Sequence, residues 1–287
     1  MVGPRGGATV ISSVARQPAC GPNIAGGSVV FSRIHRAWVY LFLCAFAMTQ
    51  AGCQLGAGSS SLRDTDPESA EEAYLLGNQR MAAGDLDGAI EQYNQAIRYD
   101  SNEYRAYNNR GIARLQLRQY EAALPDFNSA LASGGERFEI LINLGTVQLY
   151  RGDFDSARIA FQRAVDLEPD SVDALNNLGV THLRSNDYAA AETVLRRALG
   201  LDSHNAATLN NLGNVLQSQE RFEEAIQMYS DAVAADPNHY EAQYNLGMLL
   251  VDLERGGEAL PHLERYLDLA PAEHSVTDVE SLIERLR

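Results

Sequence analysis

The tetrapeptides Ile142-Asn143-Leu144-Gly145, Asn176-Asn177-Leu178-Gly179 and Asn210-Asn211-Leu212-Gly213 stand thirty-four residues apart. The same step reaches Asn108-Asn109-Arg110-Gly111 and Tyr74-Leu75-Leu76-Gly77 upstream, and Tyr244-Asn245-Leu246-Gly247 downstream. Six glycines therefore keep one spacing without an insertion or deletion. A fixed period of this size marks a stacked array, in which each short unit buries its apolar face on its neighbours. Counted from Ala70, the units run 70–103, 104–137, 138–171, 172–205, 206–239 and 240–273.

Within each unit, apolar positions at helical spacing fall in two stretches of about a dozen residues. A polar turn such as Gly84-Asp85, Gly152-Asp153 or Asn186-Asp187 separates them. The twentieth position is Ala in all six units: Ala89, Ala123, Ala157, Ala191, Ala225 and Ala259. Four residues on stands a large side chain: Tyr93, Phe127, Phe161, Leu195, Tyr229 or Leu263. Three further on comes Ala96, Ala130, Ala164, Ala198 or Ala232. Small residues let helix backbones approach, and the bulky one fills the gap that remains. Pro169, Pro237 and Pro271 close units three, five and six.

These residues together resemble the tetratricopeptide repeat family, over positions 70–273. The resemblance implies an all-α, right-handed superhelical solenoid of six helix-turn-helix repeats. Some positions depart from the pattern. Arg110 replaces the Leu of repeat two, Gly134-Gly135 stands where a Pro would close it, and Tyr266 replaces the last small Ala. The double glycine predicts a loose joint between repeats two and three. Pro125 and Pro261 fall early in second helices, where a missing amide costs least. At 274–287, Thr277-Asp278-Val279-Glu280 has capping-box spacing, with Val279, Leu282, Ile283 and Leu286 at helical intervals. It predicts a solvating cap helix, which such arrays need.

The charge is unevenly placed. The chain has no Lys, so its 23 basic residues are all Arg, and the net charge is −15. Residues 1–52 hold Arg5, Arg16, Arg33 and Arg36 and no acid, leaving 19 Arg against 38 acids beyond them. So acidic a body disfavours nucleic acid and anionic membrane surfaces as direct ligands. It reads either as a solvated surface or as an acidic groove for basic partners.

The amino terminus is read separately. Arg33 and Arg36 precede the apolar run Ala37–Met48, followed by Thr49-Gln50-Ala51-Gly52-Cys53. A basic start, an apolar run and a small-residue site make a secretory signal, and the run falls short of the ~20 residues that span a bilayer. Ala51-Gly52-Cys53 resembles the lipobox of bacterial lipoproteins, which implies lipid on the Cys53 thiol and membrane attachment outside the cytoplasm. Gln50 departs from the Leu usual three residues before that Cys. An uncleaved signal anchor and ordinary signal cleavage are the alternatives. Of Cys20, Cys44 and Cys53, lipoprotein processing would leave only Cys53, so neither a disulfide nor a Cys-based metal site is expected. Residues 53–69 form a polar tether whose 16 residues after Cys53 would span roughly 20–24 Å.

No catalytic motif emerges. His182, His204, His239, His262 and His274 have no zinc-binding spacing, and neither a G-x-S-x-G nor a phosphate-cradling loop occurs. Carboxylate pairs such as Glu71-Glu72 and Glu223-Glu224 read as solubilising charge. No cofactor, metal, small-molecule substrate or enzymatic activity is expected.

What remains is the concave face, which the resemblance assigns to the first helices. Their sixth position supplies Asn109, Asn143, Asn177, Asn211 and Asn245, and the fifth supplies Asn108, Asn176 and Asn210. Each amide offers a donor and an acceptor to an extended peptide, or else ties neighbouring helices together. The middle of the groove reads as apolar, with Ile112, Leu115, Leu149, Tyr150, Val180 and Leu183. Chaperone-binding members of the family hold a terminal carboxylate with Lys and Asn. The absence of Lys, and the acids Glu71, Glu139, Asp173 and Glu241 at position two, argue instead for a hydrophobic or basic segment. The expected function is a non-enzymatic, lipid-anchored adaptor of a bacterial cell envelope, in pilus or secretion assembly or beside cell-wall hydrolases. The alternative is a soluble scaffold without an anchor.

Overall fold

The structure is a computed structural model that describes residues 67–271 and 276–287. The signal, Cys53 and the tether as far as residue 66 lie outside the described residues, as does His274.

Thirteen helices, and no strand, make up the regular structure of the described residues. The first repeat pairs α1 (Ala70–Ala82) with α2 (Leu86–Tyr99), and the second α3 (Tyr104–Gln116) with α4 (Tyr120–Gly134). Then come α5 (Phe138–Tyr150) with α6 (Phe154–Leu167), α7 (Val172–Arg184) with α8 (Tyr188–Leu201), and α9 (Ala206–Ser218) with α10 (Phe222–Ala235). The sixth pair is α11 (Tyr240–Asp252) and α12 (Gly256–Leu269), followed by α13 (Thr277–Leu286). Each helix packs on the one before and the one after it, so the array is an α-solenoid of six helix pairs.

The periodic glycine marks the closest approach within a pair. A Cβ on Gly145 would lie 2.8 Å from the Phe161 ring, and the other five glycines meet Tyr93, Phe127, Leu195, Tyr229 and Leu263 in the same way. All six bulky residues are fully buried, as are all six alanines at position twenty. The repeating Gly and the large residue sixteen positions later are thus the two halves of one contact. Asp85, Asp153 and Asp187 start their second helices by accepting from the backbone N–H three residues on.

Three local expectations need correction. The Gly134-Gly135 joint is packed: Gly134 is a close-approach glycine under the Tyr104 ring, over which the Arg137 guanidinium lies at 4.5 Å. Pro125 and Pro261 are the sixth residues of α4 and α12, two residues beyond the four whose amides are free. The capping box at Thr277 does not form, because Thr277 is already helical and Val276, which has no side-chain acceptor, is the cap. The cap helix itself is present, with Val279 and Ile283 buried in the cluster that includes Tyr266.

Candidate functional site

The first helices α1, α3, α5, α7, α9 and α11 stack side by side, and the asparagines form a regular network between them. Asn143 Nδ2 donates to Asn108 Oδ1 at 3.0 Å, Asn211 Nδ2 to Asn176 Oδ1 at 2.9 Å, and Asn245 Nδ2 to Asn210 Oδ1 at 2.9 Å. In each case the sixth position of one repeat reaches the fifth position of the repeat before. Repeat one has Tyr74 at its fifth position, and there Asn109 Nδ2 donates to Asn78 Oδ1 at 2.8 Å and to the Tyr74 hydroxyl at 3.4 Å. One member has nothing to reach. Thirty-five residues before Asn177 stands Ile142, and neither amide atom of Asn177 has a hydrogen-bond partner although both are buried.

The pairing is the second of the two roles left open by the sequence, amides that tie neighbouring first helices together. Asn176, Asn177, Asn210 and Asn211 are all 0% exposed, held between first helices of adjacent repeats. Asn108, Asn109, Asn143 and Asn245 are half-buried. The apolar candidates divide likewise. Leu115 and Leu149, with Ile112 and Val180, belong to the hydrophobic core, because helices packed this tightly turn positions nine and twelve of the middle repeats inward. Tyr150 and Leu183 stay half-buried at its margin. The candidate residues accessible on this face are therefore Asn108, Asn109, Asn143, Asn245, Tyr150 and Leu183.

The network is most polar at its two ends. The Tyr93 hydroxyl donates to Asn78 Oδ1 at 2.8 Å, and the Tyr229 hydroxyl to Asn214 Oδ1 at 2.7 Å. The Asn of the following repeat, Asn109 or Asn245, donates to the same oxygen. Burial raises the pKa of both tyrosines, so they remain protonated donors.

The acids at position two are partly neutralised. Glu71 pairs with Arg105 at 2.6 Å. Glu139 is exposed and without an ion pair among the described residues. The described histidines are local structural groups. His239 caps α11 by accepting from the Ala242 amide, and His262 pairs with Gln243 at 2.8 Å. His182 lies 3.4 Å from Asp187, and His204 sits in an exposed loop. Burial lowers the pKa of His182 and of His262. Among the described residues no His, Cys, Asp and Glu gather into a set that could hold a metal ion, and no helix is long and apolar enough to cross a membrane.

One cluster was not anticipated. Asp126, 2% exposed, accepts from Arg110 at 2.6 Å and from Arg114 at 2.8 Å, while Arg110 also reaches Asn94 of repeat one at 2.6 Å. Arg110 replaces a Leu at position seven, and Asp126 replaces what is Ala160, Val194 or Met228 at position twenty-three in repeats three to five. The paired departure, sixteen residues apart in one repeat, was the available signal.

Models described as tetratricopeptide repeat match residues 104–133, 142–206 and 210–274, and one described as TPR repeat matches 77–118. The chain belongs to the tetratricopeptide repeat family. No curated protein sequence matches it significantly. Among solved structures it is similar to YrrB, a TPR protein with an unusual peptide-binding site, with TM-score 0.54 and 24% identity over 62% of this chain and 91% of that one. A tetratricopeptide repeat protein from Parabacteroides merdae gives TM-score 0.66 and 17% identity over 76% and 87%. PilF of Pseudomonas aeruginosa gives TM-score 0.59 and 18% identity over 75% and 97%. At these identities the likeness shows the fold alone. Tetratricopeptide arrays are in general non-catalytic scaffolds for protein interaction, and this chain has that architecture.

Proposed function

We propose that this array is a non-enzymatic adaptor that binds a peptide segment of a partner protein along its first helices. A lipid on Cys53 holds it at the membrane of a bacterial cell envelope. The observation that carries the peptide reading is the stacked first-helix layer. Its half-buried margin keeps the amides of Asn108, Asn109, Asn143 and Asn245 beside the partly exposed Tyr150 and Leu183. Amides serve the backbone of an extended segment, and the apolar side chains serve its residues. The exposed carboxylate of Glu139 favours a basic or hydrophobic sequence over an acidic one on this face. A peptide-binding TPR protein of similar fold, YrrB, supports the reading. A task in pilus or secretion assembly, or beside cell-wall hydrolases, agrees with an anchored array of this build.

Two measurements test it. A photo-crosslinking residue at Glu139 or Ser218 on the first helices should capture a partner, while one at Gln227 on α10 should not; capture from Gln227 alone would place the partner on the second helices. For the anchor, Cys53→Ala should move the protein from the membrane fraction to the soluble one. Unchanged membrane retention would remove the lipid from the proposal.

A further inference from the structure

We propose that the cleft between repeats two and three, where Tyr120 and Tyr150 stack beside Arg118 and Arg151, binds a carboxylate of an acidic peptide segment. This goes beyond the first-helix reading, with which it shares Tyr150 alone, and rests only on the array being a protein-binding scaffold. The cleft measures about 480 Å³ and is formed by the turn at Arg118–Gln119, the first residues of α4 and the end of α5. It is an open surface depression and not an enclosed pocket, which suits one side chain of a docked segment.

The charged residues that line the cleft are Arg118, Arg151 and Glu121, against the acidic balance of the array as a whole. Repeat two has five Arg (Arg105, Arg110, Arg114, Arg118 and Arg137) against Glu121, Asp126 and Glu136, and it is the one repeat in which cations outnumber acids. Arg110 and Arg114 are committed to Asp126, and Arg151 to Glu121. Arg118 and Arg184 are exposed and have no ion pair among the described residues. In a protein of net charge −15, the exposed Arg118 that lines the cleft, with the Arg184 charge acting on Tyr150 from the next repeat, forms a local site for an anion.

The tyrosines add donors. Their rings stack with centroids 5.2 Å apart and planes 8° from parallel, and neither hydroxyl has a hydrogen-bond partner among the described residues. Burial, and then the neighbouring Tyr120, raise the pKa of Tyr150, while the charges of Arg118 and Arg184 act in the opposite sense. The Tyr150 hydroxyl therefore keeps its proton at neutral pH and lies within the field of both guanidiniums. A carboxylate in the cleft would accept from the hydroxyl and from Arg118 together.

Two features of the turn fit this use. Arg118 holds a left-handed backbone at φ 58°, where repeats one and three place Gly84 and Gly152; Asn186, Glu220 and Glu254 hold it in repeats four to six, so the conformation is general to the turn and only the cation is particular to repeat two. Glycine takes that conformation freely and arginine does not. The start of α4 also lacks the Asp cap of repeats one, three and four, as do the starts at Arg221 and Arg255 in repeats five and six: Gln119 makes no side-chain cap bond. A ligand carboxylate in the cleft would lie near the position those Asp carboxylates take.

The test uses the full chain and fluorescence anisotropy with a labelled tetraglutamate peptide amide and its tetraglutamine counterpart. The glutamate peptide should bind, more weakly as salt rises, and at least about tenfold tighter than the glutamine one. Arg118→Gly should keep or raise Tm, since it relieves the turn, yet weaken binding about tenfold; Arg184→Ala should weaken it as well. Glu254→Gly, at the same turn of repeat six, should leave binding unchanged. Absence of glutamate-peptide binding, equal binding of the two peptides, or full affinity in Arg118→Gly would overturn the proposal. Displacement by inorganic phosphate at the concentration at which unlabelled tetraglutamate displaces would reassign the cleft to free anions. Crosslinking at Glu139 and Ser218 reads the first-helix face separately, so the failure of one site is distinguishable from the failure of the other.

Discussion

Asn177 should be better replaced than kept, as far as stability is concerned. Its amide lies fully buried opposite Ile142 with neither nitrogen nor oxygen paired, whereas Asn211, equally buried one repeat on, donates to Asn176 at 2.9 Å. A buried polar group without a partner costs about 1–3 kcal/mol, and a made hydrogen bond contributes about 0.5–1.5 kcal/mol. Leu keeps the branch of Asn at Cγ and adds the same bulk at both sites, so the size penalty cancels between Asn177→Leu and Asn211→Leu. The first change removes an unpaired amide. The second takes away the donor that Asn176 accepts from, offset in part because Asn211 Oδ1 is itself unpaired. The expected difference is about 2 kcal/mol in favour of Asn177→Leu, or roughly 4–8 °C in Tm for an array of this size. Thermal and urea unfolding followed by circular dichroism measure it. Since repeat arrays do not always unfold in one step, hydrogen exchange on α5 and α7 should locate the gain. Ile142→Asn supplies a partner, and in that background Asn177→Leu should lose its advantage. Equal loss in both single variants, or a larger loss at Asn177, would refute the idea that the network is broken at this joint.

Three other predictions follow from the packing and the titrating groups. Asp126→Ala should cost about 3 kcal/mol by stranding Arg110 and Arg114, and adding Arg110→Leu should recover part of it, as urea midpoints would show. Gly145→Ala should destabilise by about 1–2 kcal/mol, because its Cβ meets the buried Phe161 ring at 2.8 Å, whereas Gly200→Ala, with open space beside it in α8, should raise Tm. Burial holds His182 and His262 below their ordinary value of 6.5, so the unfolded chain takes up protons first as pH falls. Stability should therefore be full above pH 6.5 and decline below it, and replacing both with Gln should flatten a pH titration of Tm between about 7 and 5.

The repeat boundaries, the alternation of two helices and the core positions were legible in the sequence because one contact is written six times. Gly at position eight and a bulky residue at position twenty-four cannot vary independently when the ring occupies the space a Cβ would need. The candidate face was less legible. Placing a residue on the first helix does not say whether it looks into a groove or into the next first helix. Asn176, Asn177, Leu115 and Leu149 prove to be buried, while Asn108 and Asn143, at the same fifth and sixth positions, stay half-buried. The neighbouring first helices decide between those outcomes, and no single repeat encodes its neighbours.

Departures from the repeat carried more than was read from them, and they carry it in pairs. Asn at position nine goes with Tyr at position twenty-four in repeats one and five, where the two hydrogen-bond; Ile112, Thr146, Val180 and Met248 go with Phe or Leu. Arg110 goes with Asp126 by the same logic. A buried polar group must bring its partner, so a lone polar departure at a buried position is the informative kind. Asn177 is such a departure in reverse, since Asn is the rule at its position and Ile142 is the missing partner. Arg118 and Arg184 are a third kind: charged departures that pair with nothing within the described array. Packing does not account for Arg118, because the turn it occupies would be less strained with glycine. The left-handed turn does not single Arg118 out, since Asn186, Glu220 and Glu254 share it; a cation there, beside two tyrosine hydroxyls without partners and in the one repeat of positive balance, is what a ligand would explain. Arg118→Gly separates these explanations, since it should improve folding and impair binding in the same molecule.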